Sequence, residues 1–152
     1  MASPRDNQTV YRVLTLFSKR PDLTDEQFSH HWEKVHAPLV MPWALKHGFI
    51  GYVQYHTPAA MREAFAGVMA SEWRGDINYN GAALFDVVSY EAFVKAFEDP
   101  YYINVIEPDE HNFVAKDVTG KNQVLKAMST MGVCKTIVSG GKPQIEYEPK
   151  DI

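Results

Sequence analysis

The stretch RPDLTDEQFSHHWEKVHAPLV, from Arg20 to Val40, constrains the fold more than any other part of the chain. Thr24 stands where a helix N-cap would, with Gln27 three residues later, so each side chain can satisfy a backbone N–H at the helix start. Phe28, Trp32 and Val35 recur at i, i+4 and i+7 and form one apolar stripe at the 3.6-residue period. Pro38 disfavours helical geometry at Ala37, so the pattern predicts a helix from Thr24 to His36. His30 points away from the stripe. His36 follows Trp32 by four residues, at the edge of the buried face and at the helix exit, where its imidazole looks into the interior.

Downstream of this helix the pattern alternates between strands and helices. Tyr11–Phe17 (YRVLTLF) reads as a first strand feeding the helix through the Ser18–Pro21 turn. A short second helix carries Trp43 and closes at Lys46, His47 and the capping Gly48. Phe49–His56 alternates as a second strand, and Thr57-Pro58 starts a helix with a Met61, Phe65, Val68 stripe that ends in a loop around Arg74 to Asn80. Asn80-Gly81 signals a turn before a third strand, Ala82–Ser89, with Asp86 in its middle. Ser89 caps a helix bearing Tyr90, Phe93, Val94 and Phe97, Asp99-Pro100 restarts it through Tyr102 and Ile106, and Pro108 kinks or ends it. Asp117–Ser129 has no clean period and reads as an exposed excursion. Met131–Val138 reads as a fourth strand, Gly140-Gly141 as a turn, and Gln144–Tyr147 as an edge strand or arm.

Strand, helix, strand, strand, helix, strand is the ferredoxin-like βαββαβ order of the α+β class, with extra helices added to it. One antiparallel four-stranded sheet would carry helices on one face. The strands are apolar on both faces, so the other face calls for a cover, and a second copy supplies it most simply as a homodimer. At 152 residues the chain fits one domain, with a polar lead-in over 1–9, the domain over 10–139 and a C-terminal arm over 140–152.

Composition removes several function classes. No apolar run is long enough for a membrane span, and the N-terminus has no signal-peptide core, so a cytoplasmic protein is expected. Net charge is −4 with no run of lysines or arginines, which argues against nucleic acid as a partner. Cys134 is the only cysteine, so no internal disulfide forms, and its apolar neighbours suggest a packed thiol.

The opening stretch, with Phe28, Trp32 and the run His36-Ala37-Pro38-Leu39, resembles the EthD family of dimeric α/β-barrel proteins. The segment ALFDVVSYEAFVKAFEDPYYINVIEPDEHNF is similar to the fungal branch of that family, with Asp86, Asp99 to Tyr102 and Pro108 to Glu110 at matching places. The resemblance runs from Tyr11 to Val138. It implies an enzyme of aromatic polyketide metabolism, in the branch of decarboxylases that act on anthraquinone precursors such as atrochrysone carboxylic acid.

Loss of CO₂ from a β-keto or ortho-hydroxy aromatic acid leaves a carbanion that the substrate's own carbonyl absorbs, so no cofactor and no metal is expected. The protein must supply a proton donor, an apolar slot and exclusion of water. His36 is the first candidate acid or base, because imidazole titrates near neutral pH; a core histidine bonded to a helix-end carbonyl is the competing role. Asp86 is the second, because a carboxylate amid Leu84, Phe85, Val87 and Val88 must be paired, hydrogen-bonded or protonated; a structural acid held by a neighbouring tyrosine or arginine is the alternative. His111 is a reserve, and so is His47. Tyr11, Trp43, Tyr52, Phe97 and Tyr102 are candidates for binding a flat ring, with Tyr55 also in view. His30, His31 and His36 lack metal-ligand spacing, HExxH is absent, and nothing marks a haem axial ligand. The leading reading is a cofactor-independent lyase, most simply a decarboxylase, working on a small aromatic polyketide. A cyclase or dehydratase would need the same donor, base and slot. A non-catalytic dimeric protein that binds a small aromatic would need the slot alone.

Overall fold

A computed structural model describes residues 8–68, 79–116 and 127–151. Its strands are β1 (Tyr11–Phe17), β2 (Gly51–His56), β3 (Gly81–Val87) and β4 (Ala127–Gly132), in one antiparallel sheet of order β2-β3-β1-β4. This is the ferredoxin-like arrangement, and the protein is of the α+β class. Between β1 and β2 run α1 (Asp25–His30), a π-helical turn His31–His36 and α2 (Ala37–Lys46); α3 (Ala59–Val68) follows β2. Between β3 and β4 run α4 (Tyr90–Ala96), a second π-helical turn Tyr102–Ile106 and α5 (Glu107–Glu110). A two-stranded hairpin, β5 (Val138–Ser139) and β6 (Lys142–Pro143), turns on Gly140 and Gly141, both at positive φ.

The capping box at Thr24 forms: Gln27 N–H donates to Thr24 Oγ1 at 3.1 Å, and Thr24 N–H to Gln27 Oε1 at 2.9 Å. The helix does not stop at His36, however. Trp32 C=O accepts from Ala37 N–H, five residues on, and the chain continues straight into α2 with Pro38 in its first turn. A proline has no N–H to give, and the wider π turn ends just where that N–H would be missing, so Pro38 breaks nothing. Pro108 repeats the device. Tyr102 C=O accepts from Glu107 N–H, and Pro108 then sits in the first turn of α5 instead of ending the helix.

Other expectations shift by a few residues or move to the surface. The fourth strand is Ala127–Gly132 rather than Met131–Val138, because Thr15 and Ser129 pair across β1 and β4 through hydroxyls 2.9 Å apart. Residues 133–137 are exposed non-strand chain, so Cys134 is an exposed thiol and not a packed one, and Gln144–Tyr147 forms no strand. The α3 stripe exists, but Met61, Phe65 and Val68 stay exposed. The loop expected around Arg74 lies outside the described residues up to 78, as does the expected excursion up to 126.

Sheet parity positions everything else. Val13, Thr15, Phe17, Ala83, Phe85, Tyr52 and Ser129 share the face covered by α1, α2, α4 and the second π turn, whereas Arg12, Leu14, Gly51, Val53, Leu84 and Asp86 share the opposite one. Two aromatic clusters build the core on the covered face. One gathers Val40, Trp43, Phe49, Val87, Ala96 and Ile106; the other gathers Phe17, Phe28, Trp32, Ala83, Phe113 and Val114. Tyr52 and Phe85 pack against both, stacked on each other at 4.7 Å and 12°.

Gly81 is where strand and helix approach most closely, since a Cβ there would lie 2.7 Å from the Trp32 ring. Gly81→Ala should therefore cost about 1–3 kcal/mol through overpacking. Gly67→Ala, whose Cβ meets nothing within 4 Å on α3, should be neutral or stabilising. Urea unfolding of the two variants side by side checks the contrast.

Candidate active site

A cavity of about 320 Å³ lies between the two aromatic clusters, roofed by helices and floored by the sheet. Its walls are largely apolar, with Val13, Phe17, Val40, Phe85 and Ile106 among them; the titratable side chains on it are His36, Tyr52, Tyr102 and Glu110. Phe97 lines it while remaining partly exposed, which puts that ring at the mouth.

His36 is 5% exposed, at the last residue of the first π turn. Its Nδ1–H donates to Asp109 Oδ2 at 2.8 Å, and the same carboxylate accepts from His31 Nε2 at 3.0 Å and from Asn112 Nδ2 at 3.0 Å. A carboxylate can only accept, so Nδ1 carries the proton and Nε2 of a neutral ring is left as the basic atom. Burial pushes the His36 pKa down, against the opposing pull of Asp109. Burial also raises the Asp109 carboxyl, but the hydrogen bonds from Asn112, His36 and His31 outweigh it and hold Asp109 ionised. Phe113 packs on His36 with centroids 4.7 Å apart and fixes the ring plane.

Glu110 is the next residue after Asp109 and lines the cavity. Burial raises its pKa to about 7, with the nearby Glu107 and Asp109 charges adding to the shift against the Tyr102 hydrogen bond. Tyr102 Oη donates to both of its oxygens, at 3.1 and 3.2 Å, and burial beside that acid pushes the phenol well above its usual range. The cavity therefore brings together an imidazole whose pKa burial lowers and a carboxyl whose pKa burial raises.

Of the residues singled out from the sequence, His36, Trp43, Tyr52, Phe97 and Tyr102 line this cavity. Asp86 does not: it lies on the opposite sheet face, clamped by Arg12 through Nε–Oδ1 at 2.7 Å and Nη2–Oδ2 at 2.8 Å, which lowers its pKa. His111 donates to Glu107 Oε1 at 2.7 Å and is not among the lining residues; it has a local hydrogen-bonding role at the helix end. His47 pairs with Asp99 at 2.7 Å in the same way. Tyr11 shares the covered sheet face and packs against the Trp43 cluster without lining the cavity. Asp109 and Glu110 stand in the family resemblance but were given no role among the candidate site residues, although Glu110 follows Ile106 by four residues and Tyr102 by eight.

The EthD domain model matches residues 20–117, from the strand-to-helix turn past Asp109 and Glu110. The chain belongs to the EthD domain family. Within it the chain is similar to dehydratase aurZ of Gibberella zeae, 25% identical over 133 residues that cover 88% of this chain and 80% of the relative. It is also similar to the conidial pigment biosynthesis dehydratase EthD of Metarhizium robertsii, 22% identical over 140 residues, 92% of each chain. Among solved structures, an EthD-like protein of Ralstonia eutropha superposes with a TM-score of 0.52 at 16% identity, covering 82% of this chain and 91% of that one, which supports the shared fold. Among the described residues no helix is long and apolar enough to cross a membrane, and no three His, Cys, Asp or Glu side chains gather as they would around a metal ion.

The raised Glu110 pKa has a stability signature. Below the unfolded carboxyl value near 4.5 the side chain is neutral in both states; as pH climbs to about 7 the unfolded chain ionises first, so folding stability falls through that window. Glu110→Gln should leave stability nearly unchanged at pH 4 and raise it by up to about 3 kcal/mol at pH 8. Thermal unfolding at the two pH values reads this directly.

Proposed function

We propose that this protein is a cofactor-independent dehydratase acting on a small aromatic hydroxy-ketone of the polyketide type. The observation that carries the reading is that His36, oriented by Asp109, and Glu110 line one apolar cavity with their proton affinities moved toward each other. His36 Nε2 removes the proton from the carbon next to the substrate carbonyl. The electron pair forms the new C=C bond as the C–O bond to the β-hydroxyl breaks, and protonated Glu110 supplies the proton with which that hydroxyl leaves as water. Aromatisation of the ring drives the step, and the apolar walls keep bulk water from reversing it. Trp43, Phe97 and Tyr102, packed edge-on or tilted within 5.3 Å of one another, offer faces and edges to a flat ring.

Decarboxylation, the first expectation, fits this cavity less well. Release of CO₂ needs one proton donor and no base, and an ionisable Glu110 would repel the substrate's own carboxylate. The names of the relatives from Gibberella zeae and Metarhizium robertsii also favour water loss. Cyclisation by aldol closure would use the same pair. A binding protein would need the slot without the pair.

We further propose that the enzyme is a homodimer. Val53, Tyr55 and Met128 on the sheet face opposite the cavity are exposed, as are the α3 stripe, Ile137 and Val138 after β4, and Ile145 and Tyr147 of the C-terminal arm. Large apolar side chains exposed in this way are what a second copy would cover. Light scattering at micromolar concentration should give twice the 17.3 kDa of one chain; a pure monomer would refute the dimer.

Mass spectrometry of the protein incubated with a β-hydroxy polyketide acid should show loss of water before any loss of CO₂. His36→Gln should fold and still lose roughly 10²-fold or more in kcat. In the intact enzyme kcat/KM should follow a bell, with the acid limb below the ordinary imidazole range as His36 protonates and the alkaline limb near 7 as Glu110 ionises. Loss of CO₂ with the hydroxyl retained would return the reading to decarboxylation.

A further inference from the structure

A second hydrogen-bonded chain reaches the cavity through Tyr52, and its direction follows from a single backbone atom. Trp32 C=O can only accept, so the Gln54 side-chain atom 3.0 Å from it is the amide nitrogen. The amide oxygen then faces His56 at 3.0 Å, and His56 Nε2 must carry a proton. His56 Nδ1 is thereby the acceptor in the neutral ring, and the Ser29 hydroxyl, 2.8 Å away, donates to it. Packing against Trp32, with centroids 4.4 Å apart and the rings tilted by 33°, holds the imidazole in place. The remaining N–H of Gln54 donates to Tyr52 Oη at 2.9 Å. Tyr52 Oη therefore accepts within this chain, and its own proton is the one hydrogen that the chain leaves unspent.

We propose that Tyr52 presents this proton to a carbonyl oxygen of the ligand, and that Gln54 is the positioning residue that holds the phenol in the donor sense. The Phe85 stack fixes the ring plane, and Tyr52 lines the same cavity as His36 and Glu110. Protonation of His56 does not reverse the sense, because Ser29 turns to accept while Nε2–H still donates to Gln54. The inference deepens the dehydratase reading and rests on it for the chemistry of the ligand: an aryl ketone whose oxygen gains negative charge as the neighbouring carbon loses its proton. A donor already aimed at that oxygen stabilises the developing enolate without reorganising.

The test compares 1-acetonaphthone, which carries an aryl ketone, with 1-ethylnaphthalene, which has the same ring and no acceptor. Tyr52→Phe keeps the stack on Phe85 and removes only the hydroxyl; Gln54→Glu places an acceptor-only carboxylate where the donor stood, and turns the phenol proton away from the cavity. Both variants should bind the ketone roughly three- to tenfold more weakly and leave the hydrocarbon unchanged. In infrared spectra of ketone labelled with carbon-13 at the carbonyl, the bound stretch should sit at lower wavenumber in the native protein and move back up in both variants. The same band in native and Tyr52→Phe protein overturns the proposal outright, and a native-like band in Gln54→Glu overturns the role of Gln54. The probe ketone has no hydroxyl to lose and the measurement involves no turnover, so a native carbonyl shift through Tyr52 beside a β-hydroxy substrate that loses no water in the mass-spectrometry assay would refute the dehydratase reading alone.

Discussion

Asp109 is the hinge of the whole arrangement. Its carboxylate, on a side chain 11% exposed, accepts from His36, His31 and Asn112, so one ionised group binds the helix that follows β1 to the helix that precedes β4. A charge that far from water is tolerable only with several donors around it, and removing a donor from such a group costs more than the bond itself is worth. The same bonds choose the tautomer of His36. Structure and chemistry are thus tied at one atom pair: what keeps Asp109 ionised is also what leaves His36 Nε2 basic.

Two π turns bring these residues together. Each ends immediately before an x-Pro pair, Ala37-Pro38 in one case and Glu107-Pro108 in the other, so each crossing of the ferredoxin-like repeat carries the same irregularity at the same depth. His36 closes the first π turn, and Asp109 and Glu110 open out of the second. An uninterrupted α-helix advances each side chain by 100° per residue; one residue of π insertion re-aims everything after it. The prolines then forbid the two turns from relaxing to regular α-helix with a full set of N–H bonds.

Much of this was legible in the sequence, and the losses have physical causes. Periodicity and caps located β1, the Thr24 capping box and the placement of His36 at the edge of the buried face. They failed at Pro38 and Pro108, because a proline's cost in a helix depends on whether the turn before it is α or π, which no side-chain pattern reveals. Asp86 takes the structural role weighed beside the catalytic one, held by an arginine, and the sequence left the two open because β3 is apolar on both faces, so alternation alone cannot say whether Phe85 or Asp86 looks toward the helices. The register does, by setting Asp86 opposite Arg12. Glu110 enters the sequence reading only through the family resemblance, with no role attached, because one acid among the four polar residues of EPDEH gives no sign by itself of facing the interior.

Glu110 also supports the proposed reading of an enzyme over a binding protein of the same shape. A cavity meant only to hold a flat apolar ring gains nothing from a carboxyl group whose burial raises its pKa to about 7. Gln at that position would keep the hydrogen bond to Tyr102 and avoid the destabilisation, and Leu would add to the apolar wall. Keeping an acid there sacrifices stability at neutral pH, which is the usual mark of a group retained for its proton. The neighbouring Glu107 and Asp109 make the point sharper, since their charges push the Glu110 pKa further up instead of neutralising it. Adjacent carboxylates with opposite fates, Asp109 held ionised by three donors and Glu110 raised to about 7 by burial, are the arrangement that the proposed base and acid would use, whereas the proposed alternative of a passive pocket has no use for the difference.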